Sequence, residues 1–160
     1  MAEACKANTR YADGPPRAKG AQMSAASLPP LIASLYVASG AAVGGLARYH
    51  IGRGINYTFV QGSSFPWATL VINVAGSLLM GVLLGWLARS SGAPQFKESM
   101  QLLIGVGLLG GFTTFSAFSA EMVTMIYRGQ MLASVLYGSA SVIAGMLAFV
   151  IALIAVQGLQ

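Results

Sequence analysis

Four long stretches of this chain contain no charged side chain, and each is rich in apolar residues. Crossing the hydrocarbon core of a bilayer takes about 20 mostly apolar residues, so each stretch is long enough for one span. Every backbone amide needs a partner inside a membrane, and the stretches lack the alternation of barrel strands, so they predict helices. The uncharged stretches are residues 20–47, 54–88, 99–120 and 129–160.

This pattern predicts an all-α integral membrane protein with four transmembrane helices. Because the loops between them are short, there is no room for a catalytic domain outside the membrane. Residues 28–160 are interpreted as a single four-helix domain, and the polar residues 1–27 are predicted to be a disordered N-terminal extension. The helices are predicted near residues 30–52, 66–88, 99–127 and 131–157.

Composition supports a membrane protein and excludes other classes. Of the 160 residues, 56% are hydrophobic and 8% are charged, whereas a soluble domain has about a quarter of its residues charged. The net charge of +5 comes from bases in the N-terminal extension and single bases near helix ends, with no basic patch. We therefore expect no nucleic-acid partner. The only cysteine, Cys5, predicts neither an internal disulfide nor a cysteine-based metal site.

The bases at the helix ends are almost evenly divided between the two sides of the membrane. Four helices place both termini and the second loop on one side, which carries Arg89 and Lys97. The other side carries Arg53 and Arg128, and also Arg48 if that side chain reaches the interface. The bias toward positive cytoplasmic loops therefore nearly cancels, which favours insertion in both directions and head-to-tail pairing. The four bases of the extension would favour cytoplasmic termini.

Polar residues on the first two helices are the first candidates for chemistry. Arg48 follows a glycine-rich face typical of close helix packing, and it is either a snorkelling anchor or a functional cation. Thr69, Asn73 and Ser77 recur every four residues and form one polar stripe on the second helix. A buried asparagine either joins helices by hydrogen bonds or donates its amide N–H to an anion in a pore.

The third helix contains a predicted break. The pairs Gly110-Gly111 and Thr113-Thr114 both weaken a helix, and they lie at membrane depth. Such breaks occur where the freed backbone lines a cavity or binds an ion. N–H groups at the restarted helix favour an anion, and carbonyls at the break favour a cation.

Two aromatic rings and two hydroxyls follow the break. Phe115 and Phe118 share one face, and Ser116 and Ser119 share an adjoining one. Phenylalanine rings are positive at their edges, so two edges can hold a small anion, or the rings simply pack or face lipid. Glu121 is either a functional acid in the membrane or a solvated carboxylate at the helix end.

These motifs resemble the small bacterial fluoride channels of the Fluc (CrcB-type) family. The matching segments are the glycines before Arg48, the run from Pro66 to Asn73, and residues 110–119. They follow the family's order and span about residues 40–130. Ala68 and Ala117 depart from the glycine and the threonine that the family often has at these positions.

The resemblance implies an antiparallel, dual-topology homodimer with two pores and a central structural sodium ion. It also implies passive export of toxic fluoride from the cytoplasm, across the bacterial inner membrane. The expected partners are a second copy of the chain, the fluoride ion and membrane lipid. Residues implied at the pore are Arg48, Asn73, Thr114, Phe115, Ser116, Phe118, Ser119, Glu121 and Tyr137, and the implied sodium ligands are the main-chain carbonyls of Gly110 and Thr113.

Two rival functions remain at this point. A small proton-coupled exporter of four helices would use Glu121 as its proton carrier, although this acid lies toward the end of its helix. A scaffold protein that transports nothing would explain the glycine faces but not the clustered break, hydroxyls and rings. An enzyme is not expected, because no nucleophile–base pair or ligand cluster is visible.

Overall fold

The computed structural model describes residues 28–59 and 65–158, which are helical apart from short connections. Four spans are long and apolar enough to cross a membrane, which confirms the all-α class and the four predicted spans. The predicted extension 1–27 lies outside the described residues. The elements are α1 (Pro30–Phe59), α2 (Trp67–Arg89), α3 (Pro94–Met100), a π-helical segment (Gln101–Leu109), α4 (Gly110–Phe112), α5 (Phe115–Tyr127) and α6 (Met131–Gly158).

Two predicted helix boundaries are wrong. The first helix does not end near residue 52 but continues to Phe59. The helix thus continues beyond the end of the apolar run. Polar side chains there still support the helix, as when Arg53 donates to the Tyr49 hydroxyl one turn earlier at 3.4 Å. The third span begins at Pro94 and not at residue 99, because proline suits the first helical position.

Glycine allows two pairs of elements to approach closely. The most extensive packing joins α2 to α6, followed by that of α1 against the π-helical segment. A Cβ added at Gly44 would overlap the carbonyl of Leu108, and one added at Gly81 would overlap the carbonyl of Phe149. Gly45, in contrast, has open space beside it. On α1, therefore, the side of the helix that carries Gly44 packs closely against its neighbour, and the side that carries Gly45 does not.

Large apolar side chains cover the outside of the bundle. Leu31 and Leu132 are each 73% exposed, although both belong to membrane-length helices. The buried apolar cluster, in contrast, is small and centres on Leu83, Leu87 and Leu109. An apolar exterior of this extent is typical of a surface that contacts lipid or another copy of the protein.

The predicted break in the third span is present between α4 and α5. Thr113 has ψ 160°, and Thr114 is extended with φ −149° and ψ 120°. Gly110 and Gly111 remain helical, so the break lies at the threonines and not at the glycines. The Leu109 carbonyl keeps its helical bond from the Thr113 N–H at 3.0 Å, and the Thr113 hydroxyl donates to the same carbonyl at 2.9 Å. The π-helical segment before the break was not predicted.

Candidate functional site at the broken third span

The centre of the site is a pair of hydrogen bonds between Asn73 on α2 and Thr114 at the break. Asn73 Nδ2 donates to the Thr114 carbonyl at 3.1 Å, and the Thr114 N–H donates to Asn73 Oδ1 at 2.8 Å. An extended residue presents its N–H and C=O on the same side, as it does toward a neighbouring strand. The asparagine amide therefore takes the place of a peptide group and satisfies both backbone groups of Thr114.

The restarted helix is capped by the same threonine. Thr114 is the N-cap of α5, and its Oγ1 accepts a hydrogen bond from the Ala117 N–H at 3.2 Å. This is the usual role of a threonine at that position and satisfies one of the orphan donors of the helix. Ser116 Oγ lies 3.3 Å from the same Thr114 oxygen. Hydroxyls and backbone donors are thus concentrated at the positive end of α5.

One cavity beside the break has aromatic walls, and we call it the aromatic cavity. It has a volume of about 270 Å³. The Phe115 and Phe118 rings have centroids 5.8 Å apart and an interplanar angle of 38°. Phe118 also packs on Tyr137, with centroids 5.2 Å apart, whereas Phe115 is 79% exposed. The lining residues are Asn73, Ser77, Thr113, Thr114, Phe115, Phe118, Ser141 and Val142.

A second cavity, which we call the arginine cavity, opens beside the end of α1. It has a volume of about 670 Å³, and its described lining holds two arginines, Arg48 and Arg53, and no carboxylate. Ser116 and Thr114 also line it. Because Thr114 lines both cavities, the break borders a positively charged cavity and an aromatic one. A cavity lined by one sign of charge concentrates ions of the opposite sign.

Glu121 is held by hydroxyls from two other spans. Thr69 Oγ1 on α2 donates to Glu121 Oε1 at 2.6 Å, and the Tyr137 hydroxyl on α6 donates to Oε2 at 2.8 Å. Glu121 also lines a third cavity, of about 450 Å³, together with Asn56, Thr69 and Arg128 among others. The carboxylate is thus neither isolated in lipid nor simply solvated at a helix end.

The structure divides the predicted hydroxyl pair. Ser116 lines the arginine cavity, and the Ser119 hydroxyl donates to the Phe115 carbonyl of its own helix at 2.9 Å. The two serines therefore do not share one cavity with the aromatic pair. Thr113 lies at the break and is partly buried, whereas Gly110 is exposed and lies in the last helical turn before the break.

Sequence reasoning missed three residues that border the site. The sequence pattern places Thr69 in a polar stripe but does not pair it with Glu121, because their hydrogen bond joins residues 52 apart in the chain. Ser141 lies one turn after Tyr137 on α6, a spacing that could have indicated it. The sequence places Arg53 among the bases near the helix ends, whereas the structure places it in the lining of the arginine cavity.

Fold and site together define a multi-pass membrane protein whose broken third span borders an arginine cavity and an aromatic cavity. Residues 35–153 match the family described as CrcB-like protein, Camphor Resistance (CrcB). The chain belongs to this family, which confirms the resemblance drawn from the motifs.

Curated relatives agree with this assignment. The chain is 46% identical over 128 residues to a protein of Novosphingobium aromaticivorans named fluoride-specific ion channel FluC, covering 80% of this chain and 98% of that relative. A relative of the same name from Erythrobacter litoralis is 52% identical over 113 residues, which cover 69% and 82% of the two chains. Another, from Methylobacterium sp. (strain 4-46), is 47% identical over 116 residues, covering 72% and 88%. These relatives are named as ion channels, which confirms the prediction that the chain is not an enzyme.

Proposed function

We propose that this protein is a passive, fluoride-selective channel. The observation that carries the proposal is that Thr114 borders both the arginine cavity and the aromatic cavity. An anion drawn into the first cavity thus reaches, at the break, the polar groups that can replace its hydration shell. The names of the relatives supply the identity of the ion, since the chemistry of the cavities indicates only a small anion.

The proposed route begins at the arginines and ends at the rings. Arg48 and Arg53 attract the anion, and the hydroxyls of Ser116 and Thr114 replace part of its water. An amide nitrogen carries two N–H groups, so Asn73 keeps one for an anion after bonding the Thr114 carbonyl. The positive edges of Phe115 and Phe118 then hold the anion without offering it water. Several weak sites in series allow exit as well as access, as conduction requires.

The pore is proposed to be completed by a second, antiparallel copy of the chain. Phe115 is 79% exposed in the single chain, so one of the two rings that would bind the anion has little support from its own subunit. The apolar exterior offers a surface for the partner, and the balanced bases at the helix ends favour insertion in both directions. Two such subunits would form two pores of opposite direction.

A structural sodium ion is proposed at the break, held by the carbonyls of Gly110 and Thr113. Unwound backbone carbonyls are the groups that coordinate sodium at broken membrane helices. The described residues contain no group of His, Cys, Asp and Glu side chains that could hold a metal. The break fits a cation bound by main-chain oxygens, since both carbonyls lie where the helical bonding pattern is interrupted. The ion would join the two copies at the centre of the dimer.

The proposed role is the passive export of toxic fluoride across the bacterial inner membrane, down the electrochemical gradient of the ion. The rival is a proton-coupled exporter that uses Glu121, which borders a cavity of its own. Against the rival, both oxygens of this carboxylate already accept hydroxyl hydrogen bonds that tie α5 to α2 and α6. A carboxylate that joins three elements is better placed to support the fold than to carry protons.

Fluoride efflux from liposomes that contain the purified protein tests the proposal. A fluoride gradient is imposed, with and without a pH gradient, in the presence of a potassium ionophore that balances the charge of the fluoride, and protein-free liposomes give the background. We expect fast efflux that is the same in both conditions. Efflux that requires the pH gradient would support the exporter, and no efflux would support a scaffold.

A further inference from the structure

Asn73 bonds the peptide group that joins Thr113 to Thr114. The Thr113–Thr114 peptide donates its N–H to Asn73 Oδ1 at 2.8 Å. The described residues contain no cis peptide bond, so the carbonyl of Thr113 points opposite to that N–H. By holding the N–H toward α2, Asn73 turns the Thr113 carbonyl away from α2.

The same bond also affects the carbonyl of Gly110. In a continuous α-helix the Thr114 N–H would donate to Gly110, four residues earlier. In the structure that N–H donates to Asn73 instead. Asn73 therefore removes the helical donor of Gly110.

The side chain of Thr114 removes the helical donor of the Thr113 carbonyl in a similar way. In a continuous helix the Ala117 N–H would donate to the Thr113 carbonyl. It donates instead to Thr114 Oγ1, at 3.2 Å. Each of the two carbonyls proposed as sodium ligands thus loses its helical donor to a side chain that belongs to this one network.

We propose that Asn73 is a positioning residue for the cation site, in addition to any contact that it makes with the anion. Its side-chain amide orients the Thr113 carbonyl and diverts the donor of the Gly110 carbonyl, so that both oxygens face a cation. This inference rests on the proposed sodium ion. It also couples the two sites, because Asn73 lines the aromatic cavity while it holds the backbone of the cation site.

The test measures sodium binding without measuring conduction. A ligand that binds only the folded protein raises the melting temperature as its concentration rises. The melting temperature of the purified dimer is followed as sodium chloride replaces N-methyl-D-glucamine chloride at constant ionic strength. Wild-type protein is compared with Asn73→Ala, and Gln101→Ala is the matched control, since it removes an amide from the third span away from the break.

We expect Asn73→Ala to need about 10- to 100-fold more sodium than wild type for the same stabilisation, which is the usual effect of losing a group that orients a metal ligand. Gln101→Ala should match wild type. If Asn73→Ala does not give a folded dimer, Asn73→Ser carries the same expectation, because its short side chain cannot reach both backbone groups of Thr114.

The outcomes separate this inference from the proposed function. A variant that loses fluoride efflux but keeps the wild-type sodium dependence would overturn the inference and leave Asn73 as an anion ligand alone. Wild-type protein that is not stabilised by sodium would overturn both the sodium site and the inference. Fluoride efflux from liposomes would then still decide whether the protein is a channel.

Discussion

The Tyr137 hydroxyl donates a hydrogen bond to Glu121 Oε2 at 2.8 Å, and the tyrosine has no exposed surface. The other carboxylate oxygen accepts from Thr69 at 2.6 Å. One acid therefore connects α2, α5 and α6 beside the proposed pore. This arrangement gives Glu121 a structural role that does not require it to exchange protons during transport.

Replacing this acid distinguishes the channel from the exporter. Glu121→Gln keeps the size of the side chain but replaces one acceptor oxygen with an NH2 group. We expect fluoride efflux from liposomes to fall by about fivefold, because a neutral hydrogen bond contributes about 1 kcal/mol, and to stay independent of a pH gradient. Glu98→Gln is the control, since that acid accepts from the Leu28 N–H at 3.1 Å and lines none of the described cavities. Wild-type efflux that stops without a pH gradient, together with an inactive Glu121→Gln, would contradict the channel.

The aromatic pair is tested by removing the ring but keeping apolar volume. Phe115→Ile and Phe118→Ile should each lower fluoride efflux by roughly 2- to 10-fold, since an aromatic contact contributes about 0.5–1.5 kcal/mol beyond its buried area. The control is Phe96→Ile: the Phe96 ring packs on Trp86, with centroids 6.2 Å apart, and lies in α3, away from the break. If both variants conduct as wild type does, the rings have no part in the anion site.

The arginine cavity predicts a dependence on salt. Arg48→Gln should lower the initial rate of fluoride efflux by about 10-fold at low ionic strength, because the cavity then concentrates fewer anions. The loss should shrink at high ionic strength, since the Debye length falls from about 30 Å at 0.01 M to about 3 Å at 1 M salt. Arg53→Gln should show a smaller loss with the same salt dependence.

The control for the arginines is Lys97→Gln, which removes a base in the last turn of α3, outside the described lining of the cavity. It should leave efflux at both salt concentrations close to wild type. If Arg48→Gln lowers fluoride efflux equally at low and high salt, Arg48 has a structural role and does not act by attracting anions.

Two adjacent glycines test the packing of α1. A Cβ at Gly44 would overlap the Leu108 carbonyl, whereas Gly45 has open space beside it. Gly44→Ala should destabilise the protein by about 1–3 kcal/mol through overpacking. Gly45→Ala should be neutral or stabilising, because alanine is favoured over glycine in a helix by about 1 kcal/mol. Melting temperatures in detergent compare the variants, and equal values would mean that the interface can shift to accept the methyl group.

The architecture was predictable because a membrane constrains sequence so strongly. An uncharged stretch of more than about 20 apolar residues is long enough to cross a bilayer as a helix, and few other structures suit it. The four spans therefore followed from the pattern alone. The end of α1 did not follow, because the helix continues beyond the apolar run to Phe59. The glycines of the third span indicated a weakened helix, but the break lies at Thr113 and Thr114, where the Thr114 hydroxyl replaces a backbone acceptor for the Ala117 N–H.

The candidate site was predictable in its residue types but not in its connections. Asn73 and Thr114 are 41 residues apart in the chain, and no local pattern pairs them. The same holds for the hydroxyl of Thr69 and the carboxylate of Glu121. The spacing predicts Ser116 and Ser119 on one face, yet only Ser116 contacts Thr114 Oγ1 and lines the arginine cavity. Such details depend on how the spans pack, which the hydrophobic pattern does not specify.

The most direct test compares fluoride with chloride in one set of liposomes that contain the purified wild-type protein. Each anion is loaded at the same concentration, and its efflux is recorded with a selective electrode. The same potassium ionophore balances the charge in both measurements. The proposal predicts fast fluoride efflux and chloride efflux no faster than from protein-free liposomes. Equal efflux of the two anions, or none of either, would contradict a fluoride-selective channel.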